Sequence, residues 1–376
     1  MHYLFISGTL RSGTTLLEKV LCSHDQLSVL DQPFPFLYIQ AKKDFYKSIG
    51  YGDAYHYLSH CFMEKNYTIG QLNSFLNSYE LSTELLRNIF SDMKTYSGQW
   101  TEVADINVLL QNFYSFEFPD VVKTLLHELR HRGDCKYCGS KEVVCEESIP
   151  FLLSNGFKCI IILRDPRDVI ASLSYGDGLK FCGRERPTLF NLRNWRKSVA
   201  FALHLEEHDN FMWLKYEDLA SDPQSTLQHI TSFLEVPDLG DDIYANGIKD
   251  QSGAYWVPNS SITSMPHITI DGIGLYKNCL DRQLLRYIEA ITYPEMISLR
   301  YDLNYELDAD AISRFMEPFT ITREEFSSDY STNEVHIRQE KDRLKLILQS
   351  GRNNQANITD YYIFYDVYEK LKKNFL

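Results

Sequence analysis

The chain has 376 residues, 44% of them hydrophobic and 24% charged, with a net charge of −13. That composition excludes wholesale disorder and supplies a large core, enough for one big α/β domain or two smaller ones. The acid excess argues against nucleic acid and acidic lipid as partners, and favours a small acceptor that is neutral or cationic.

Residues 3–7 form an apolar run that stops at Gly8, which predicts a strand. A helix begins at Thr14, with Leu16, Leu17, Val20 and Leu21 on one face. Residues 53–131 have mostly helical spacing, as in Leu81, Leu85, Leu86, Ile89 and Phe90. The eight cysteines are scattered; Cys135 and Cys138 make one C-x-x-C near Cys145, read as free thiols or as half of a zinc site. Residues 159–163 are continuously apolar, as buried parallel strands are. Asp165-Pro166 then reads as a helix cap and first helical residue. Residues 211–216 predict another strand, followed by Asp222-Pro223 and a helix with Leu227, Ile230, Phe233 and Leu234 inward.

Strands alternating with helices predict an α/β fold: a central parallel sheet flanked by helices. The pattern changes after residue 305. Residues 334–349 and 359–373 are amphipathic, the second with Phe364, Val367, Tyr368 and Leu371 inward. This predicts a domain over 1–305 and a helical C-terminal extension over 306–376. No segment reaches the ~20 apolar residues of a membrane helix, and Met1-His2 leads straight into the first strand with no signal-peptide pattern. The expectation is a soluble, cytoplasmic protein.

Gly8-Thr9-Leu10-Arg11-Ser12-Gly13-Thr14-Thr15 lies between the first strand and helix, where backbone amides and the positive helix end can cradle an anion. Its spacing is that of a nucleotide P-loop, but Thr14 occupies the lysine position. Triphosphate hydrolysis uses that lysine, so a kinase or NTPase is disfavoured; Arg11 supplies the cation instead. A second anchor is Leu163-Arg164-Asp165-Pro166-Arg167-Asp168-Val169-Ile170-Ala171-Ser172. Arg164 leaves a buried strand at its carboxyl edge and Ser172 lies two helical turns on, so the two can clamp another phosphate. Taken alone, Arg164 would read as the ion-pair partner of Asp165 or Asp168.

Together the two anchors resemble the PAPS-dependent sulfotransferase family, PAPS being 3′-phosphoadenosine 5′-phosphosulfate. The resemblance spans about residues 1–305. It implies that R-S-G-T-T (Arg11, Ser12, Gly13, Thr14, Thr15) grips the 5′-phosphosulfate and R-D-P-R-D-V-x-x-S (Arg164, Ser172) the 3′-phosphate. Tyr216, in Leu214-Lys215-Tyr216-Glu217-Asp218-Leu219, is similar to a family tyrosine near the nucleotide. The stretch from Trp256 to Leu280 resembles the loop that closes over the donor, with Ser261 and Lys277 as its binding residues.

The implied reaction is in-line sulfuryl transfer from PAPS to a hydroxyl or amine of a small molecule, such as a natural product, leaving PAP and requiring no metal. Arg11 and the loop amides suit the charge that grows on the leaving phosphate. Family members commonly use a His or a Glu as base. Asp31, just before the aromatic stretch Gln32-Pro33-Phe34-Pro35-Phe36, is the favoured candidate, ahead of His24 and Glu147. Glu146-Glu147-Ser148-Ile149-Pro150 resembles the family's E-K-[TS]-P, with Ser148 in place of the lysine, which removes an expected cation. The alternatives are a P-loop kinase or NTPase, and a non-catalytic nucleotide-binding protein.

Overall fold

Short apolar strands separated by helices can bury both of their faces only in a parallel sheet that is covered on both sides. The computed structural model describes residues 1–50, 67–96, 105–175, 187–239, 247–248, 254–256, 267–316, 334–349 and 358–375, and it contains such a sheet. Its strands are β1 (His2–Ser7), β2 (Leu27–Asp31), β3 (Tyr137–Lys141), β4 (Phe157–Leu163) and β5 (Phe211–Lys215). All pairs are parallel, in the order β2-β3-β1-β4-β5.

The helices are α1 (Thr14–Cys22), α2 (Pro35–Ser48), α3 (Ile69–Ser78), α4 (Thr83–Tyr96), α5 (Ile106–Leu109), α6 (Phe118–Leu129), α7 (Ile149–Ser154), α8 (Pro166–Ser174), α9 (Thr188–Leu205), α10 (Tyr216–Ser221) and α11 (Pro223–Leu234). They continue with α12 (Tyr276–Cys279), α13 (Arg282–Ser298), α14 (Ala311–Arg314), α15 (Glu334–Leu348) and α16 (Tyr365–Phe375). The α/β expectation therefore holds.

Strand alternation divides the core. Leu4, Ile6, Val29, Ile160 and Ile162 pack with Leu17 and Val20 of α1 and with Leu227 and Ile230 of α11. Phe5, Leu30, Ile161 and Leu163 face the other way, onto α2, α6 and α9. Chain order reverses at β1, which has β3 on one side and β4 on the other. Such a switch point opens a crevice at the carboxyl ends of the strands.

The caps at Asp165 and Asp222 form as the sequence indicates: their side chains accept the amides of Arg167 (2.9 Å) and Ser225 (3.2 Å). The last helix starts later than its periodicity suggests, at Tyr365. The chain first turns at 358–362, where Tyr362 is buried and its hydroxyl donates to the Arg343 carbonyl (3.0 Å).

The described residues after 305 are mostly helical and join the main core: Ile347, Tyr362, Val367 and Leu371 belong to the same cluster as Phe5 and Ile161. Buried ion pairs lock it to α9, with Arg193 Nε 2.7 Å and Arg196 NH1 2.6 Å from the Glu340 carboxylate. Among the described residues no helix is long and apolar enough to cross a membrane. Cys135 and Cys138 are buried thiols at the start of β3, and burial pushes Cys138 up to about 12. No group of three or more metal-ligating side chains is found among the described residues.

Candidate functional site

The loop 8–13 leaves β1 at the switch point. Arg11 (φ 67°) and Gly13 (φ 97°) are left-handed. For Arg11 that conformation costs about 1–2 kcal/mol, which the surrounding bonds offset. Both the amide (3.1 Å) and the hydroxyl (2.7 Å) of Ser12 donate to the Thr9 carbonyl. Gly13 is required for a second reason: a Cβ there would sit 2.6 Å from the Tyr216 ring. It caps α1, and no side chain caps the helix or places acid in its first turn. The amides of Thr14 and Thr15 thus head an N-terminus suited to an anion.

Arg164 directly follows β4 and is buried, but it pairs with neither Asp165 nor Asp168. Its guanidinium donates to the carbonyls of Arg11 (2.9 Å) and Gly272, and its carbonyl accepts the Trp195 indole N–H (2.7 Å). The ion-pair partner of Asp165 is Arg167, which also holds Glu289 at 2.7 Å. The Tyr216 ring packs against both anchors, on Gly13 and under the Arg164 guanidinium at 4.6 Å. Arg11 Nε donates to the Ser172 hydroxyl at 3.0 Å, so the two motifs touch.

Asp168 accepts the amides of Gly274 (2.8 Å) and Tyr276 (2.9 Å), which fixes the turn that carries Lys277. Lys277 itself is exposed. Ser261 lies outside the described residues.

The three base candidates separate clearly. His24 follows α1 at the end away from the loop, and the nine residues of α1 span about 14 Å at 1.5 Å per residue. Its Nε2 meets the Pro237 carbonyl (2.8 Å) and its Nδ1 accepts the Gln26 amide (3.0 Å). Its expected place in the chemistry is corrected: it is a packing and turn-closing residue. Glu147 is corrected too. Burial alone would raise its pKa, but the ammonium groups of Lys197 (2.8 Å) and Lys42 (2.6 Å) outweigh that and hold it at about 2. Such a carboxylate is a poor proton acceptor at neutral pH.

Asp31 does lie at the crevice, at the end of β2, yet it is ion-paired to Lys141 at the end of β3. Sequence reasoning missed Lys141. It is buried, and its Nζ reaches Thr15 Oγ1 (3.3 Å) and Gln32 Oε1 (3.1 Å). The cation that Ser148 cannot provide is therefore present beside the loop, from another strand.

Two buried carboxyl groups flank the site with raised pKa values. Burial is the main cause for both Glu217, beside Arg164, and Glu18, on α1, and each rises to about 7. In the folded state both prefer the neutral form. Their stabilising contribution is complete below the usual carboxyl value of 4.5, is lost as pH rises toward about 7, and is absent above it. The melting temperature of the wild type should fall across that window. Glu217→Gln, which keeps an acceptor for the Asp165 amide, should flatten part of the fall; an unchanged slope would show that Glu217 titrates normally.

Residues 147–299 match the family model described as sulfotransferase domain. A search of the curated proteins finds no match. Among solved structures, the chain is similar to the sulfotransferase domain from the Synechococcus PCC 7002 olefin synthase, with 19% identity, 74% of this chain and 94% of that one covered, and a TM-score of 0.42. It is similar to the sulfotransferase domain from the curacin biosynthetic pathway at 20% identity, with 82% and 94% covered and a TM-score of 0.38. It also resembles retinol dehydratase in a complex with retinol and PAP, at 14% identity, with 81% and 83% covered and a TM-score of 0.36. The residues matched by that model include Arg164, Ser172, Tyr216 and Lys277.

Proposed function

We propose that the chain moves a sulfuryl group from PAPS to a hydroxyl or amine of a small-molecule acceptor, by in-line transfer that leaves PAP. The observation that carries this reading is the contact between the two anchors, Arg11 Nε to the Ser172 hydroxyl at 3.0 Å. A nucleotide with phosphate on both the 3′ and the 5′ side of one ribose needs two anion anchors that close on one surface. A nucleoside triphosphate needs only the loop.

The residues present also fit the ligand chemically. Arg164 Nε is buried and has no partner among the described residues, a costly state that a phosphate oxygen would relieve. The amides of Thr14 and Thr15, with Ser12 and Gly13, suit the 5′ side. Arg164 and Ser172 suit the 3′ side, with Tyr216 packed between and Lys277 and Ser261 as closing residues. The bound donor supplies the activated sulfuryl group and a phosphate leaving group. Lys141 and Arg11 stabilise the negative charge on that leaving oxygen, in a site where part of their surroundings is already dry.

The test is ligand specificity. PAP should raise the melting temperature well above any shift from ATP or ADP, since a ligand at about 100 times its Kd stabilises by roughly 2.7 kcal/mol. Equal responses to PAP and ATP would mean that the second anchor reads no phosphate, and the proposal would fall.

A further inference from the structure

The proton acceptor remains to be assigned once His24 and Glu147 are engaged elsewhere and Asp31 holds Lys141. The ladder of β3 runs one residue past the strand, where the Glu142 amide donates to the Ile6 carbonyl at 2.9 Å. Side chains alternate across a sheet, so Lys141 and Glu142 point to opposite faces at the same edge. Lys141 meets the loop at Thr15, and Glu142 meets the start of α2.

Glu142 Oε1 accepts the Phe34 amide at 2.8 Å. Its other oxygen is buried and has no partner among the described residues, and the same is true of the Tyr38 hydroxyl on α2. Unpartnered polar atoms in an apolar wall are costly, and two in one neighbourhood call for a ligand that satisfies both. The next residues bind them to the site, since the Val144 amide donates to the Gly8 carbonyl at 3.1 Å.

Resting on the sulfotransferase reading, we propose that Glu142 takes the proton from the acceptor hydroxyl, with Tyr38 orienting that hydroxyl. The hydroxyl proton passes to Glu142 Oε2 as the oxygen lone pair forms the bond to sulfur. The bond from sulfur to the 5′-phosphate oxygen breaks, and its electron pair leaves on PAP. Glu142 returns the proton to water. The acceptor class follows from the walls. Tyr38 also lines a small cavity with Leu72, Leu76 and Val144 on one side and the Lys42–Glu147 ion pair and Ser148 on the other, so the acceptor hydroxyl sits on a body with an apolar face and a polar edge, as in a phenol.

Burial pushes the Glu142 carboxyl well above its usual range, and the charge of Asp31 adds to that while Lys141 opposes it. The other titratable groups around it are Tyr38 and the Cys145 thiol, both pushed up first by burial and then by Glu142. A carboxyl shifted upward is less ionised at a given pH than an ordinary one, so the transfer step should speed up as pH rises and Glu142 ionises.

The experiment combines PAP calorimetry with single-turnover loss of sulfate from labelled PAPS to 2-naphthol and to water, across about pH 5–9. The wild-type rate should rise with pH. Glu142→Gln should lose that rise and fall by about 10²–10⁴-fold while binding PAP within about threefold of wild type. Glu142→Asp should keep the rise, and Tyr38→Phe should raise the KM for 2-naphthol more than it lowers kcat. A wild-type profile without the rise, or a Glu142→Gln profile that keeps it, overturns the proposal. A wild type that does not bind PAP overturns the sulfotransferase reading instead.

Discussion

Arg164→Ala should weaken PAP binding by about 10²–10⁴-fold, because a phosphate held by an arginine fork loses two charge-assisted hydrogen bonds worth roughly 1.5–3 kcal/mol each. Part of that loss is structural. Arg164 ties the Arg11 carbonyl to Gly272 and stacks on Tyr216, so its removal leaves two carbonyls without their donor and Tyr216 without its cover. Each carbonyl left buried and unpaired costs about 1–3 kcal/mol, so the melting temperature of the free protein should fall as well. Arg164→Lys separates the two contributions. The ammonium keeps a positive charge but loses the planar fork, so PAP affinity should land between alanine and wild type. Calorimetric titration of the three proteins, each checked for folding, decides it. An Arg164→Ala protein that binds PAP within about tenfold of wild type would remove Arg164 from the nucleotide site.

Arg164 could be recognised from sequence because its surroundings are local: a buried strand, a capping Asp165 and a proline in ten residues. The same holds for the loop between β1 and α1. Lys141 was invisible for the opposite reason. Its strand, Tyr137-Cys138-Gly139-Ser140-Lys141, has no apolar alternation. Gly139 is there because β1 comes so close that a Cβ would lie 2.2 Å from the Leu4 carbonyl oxygen, a demand that only the neighbouring strand reveals. Lys141 meets Thr15 across 126 positions of chain.

Glu147 misled in the same way, since the lysines that fix its charge lie 105 and 50 residues away. His24 misled through helix geometry, being close to the loop in sequence but carried by α1 to its far end. The resemblance to a known motif set pointed to Arg11 and Ser172, which the fold brings into contact, but it could not say which carboxyl group remains available to a proton. That depends on partners drawn from distant segments: Lys42 on α2, Lys197 on α9 and Lys141 on β3.

The pair Asp31 and Lys141 offers the sharpest contrast between the two readings of Asp31. If Asp31 were the base, Asp31→Asn would lower the transfer rate by about 10²–10⁴-fold and leave PAP affinity alone. The geometry leads to a different result. Asp31 aims an almost fully buried ammonium at Thr15 and Gln32, so Asp31→Asn should loosen Lys141 and lower PAP affinity and transfer rate together. Lys141→Ala should be the more severe change. It removes the ammonium that contacts Thr15 in the first turn of α1, and removal of one preorganised donor to a developing anion costs about 10²–10³ in rate. It also leaves Asp31 without its counter-charge, while Asp31→Asn leaves the ammonium without its own; breaking a buried pair from either side costs about 3–5 kcal/mol. Asp31 keeps some exposure at 13% of its side chain, so the low end applies to Lys141→Ala. The double variant Asp31→Asn/Lys141→Met removes both charges. It should recover stability relative to Asp31→Asn but recover no rate, because the stability term belongs to the pair and the rate term to the ammonium. Rate recovery in the double variant would show that Lys141 serves only to neutralise Asp31 and has no part in stabilising the leaving group.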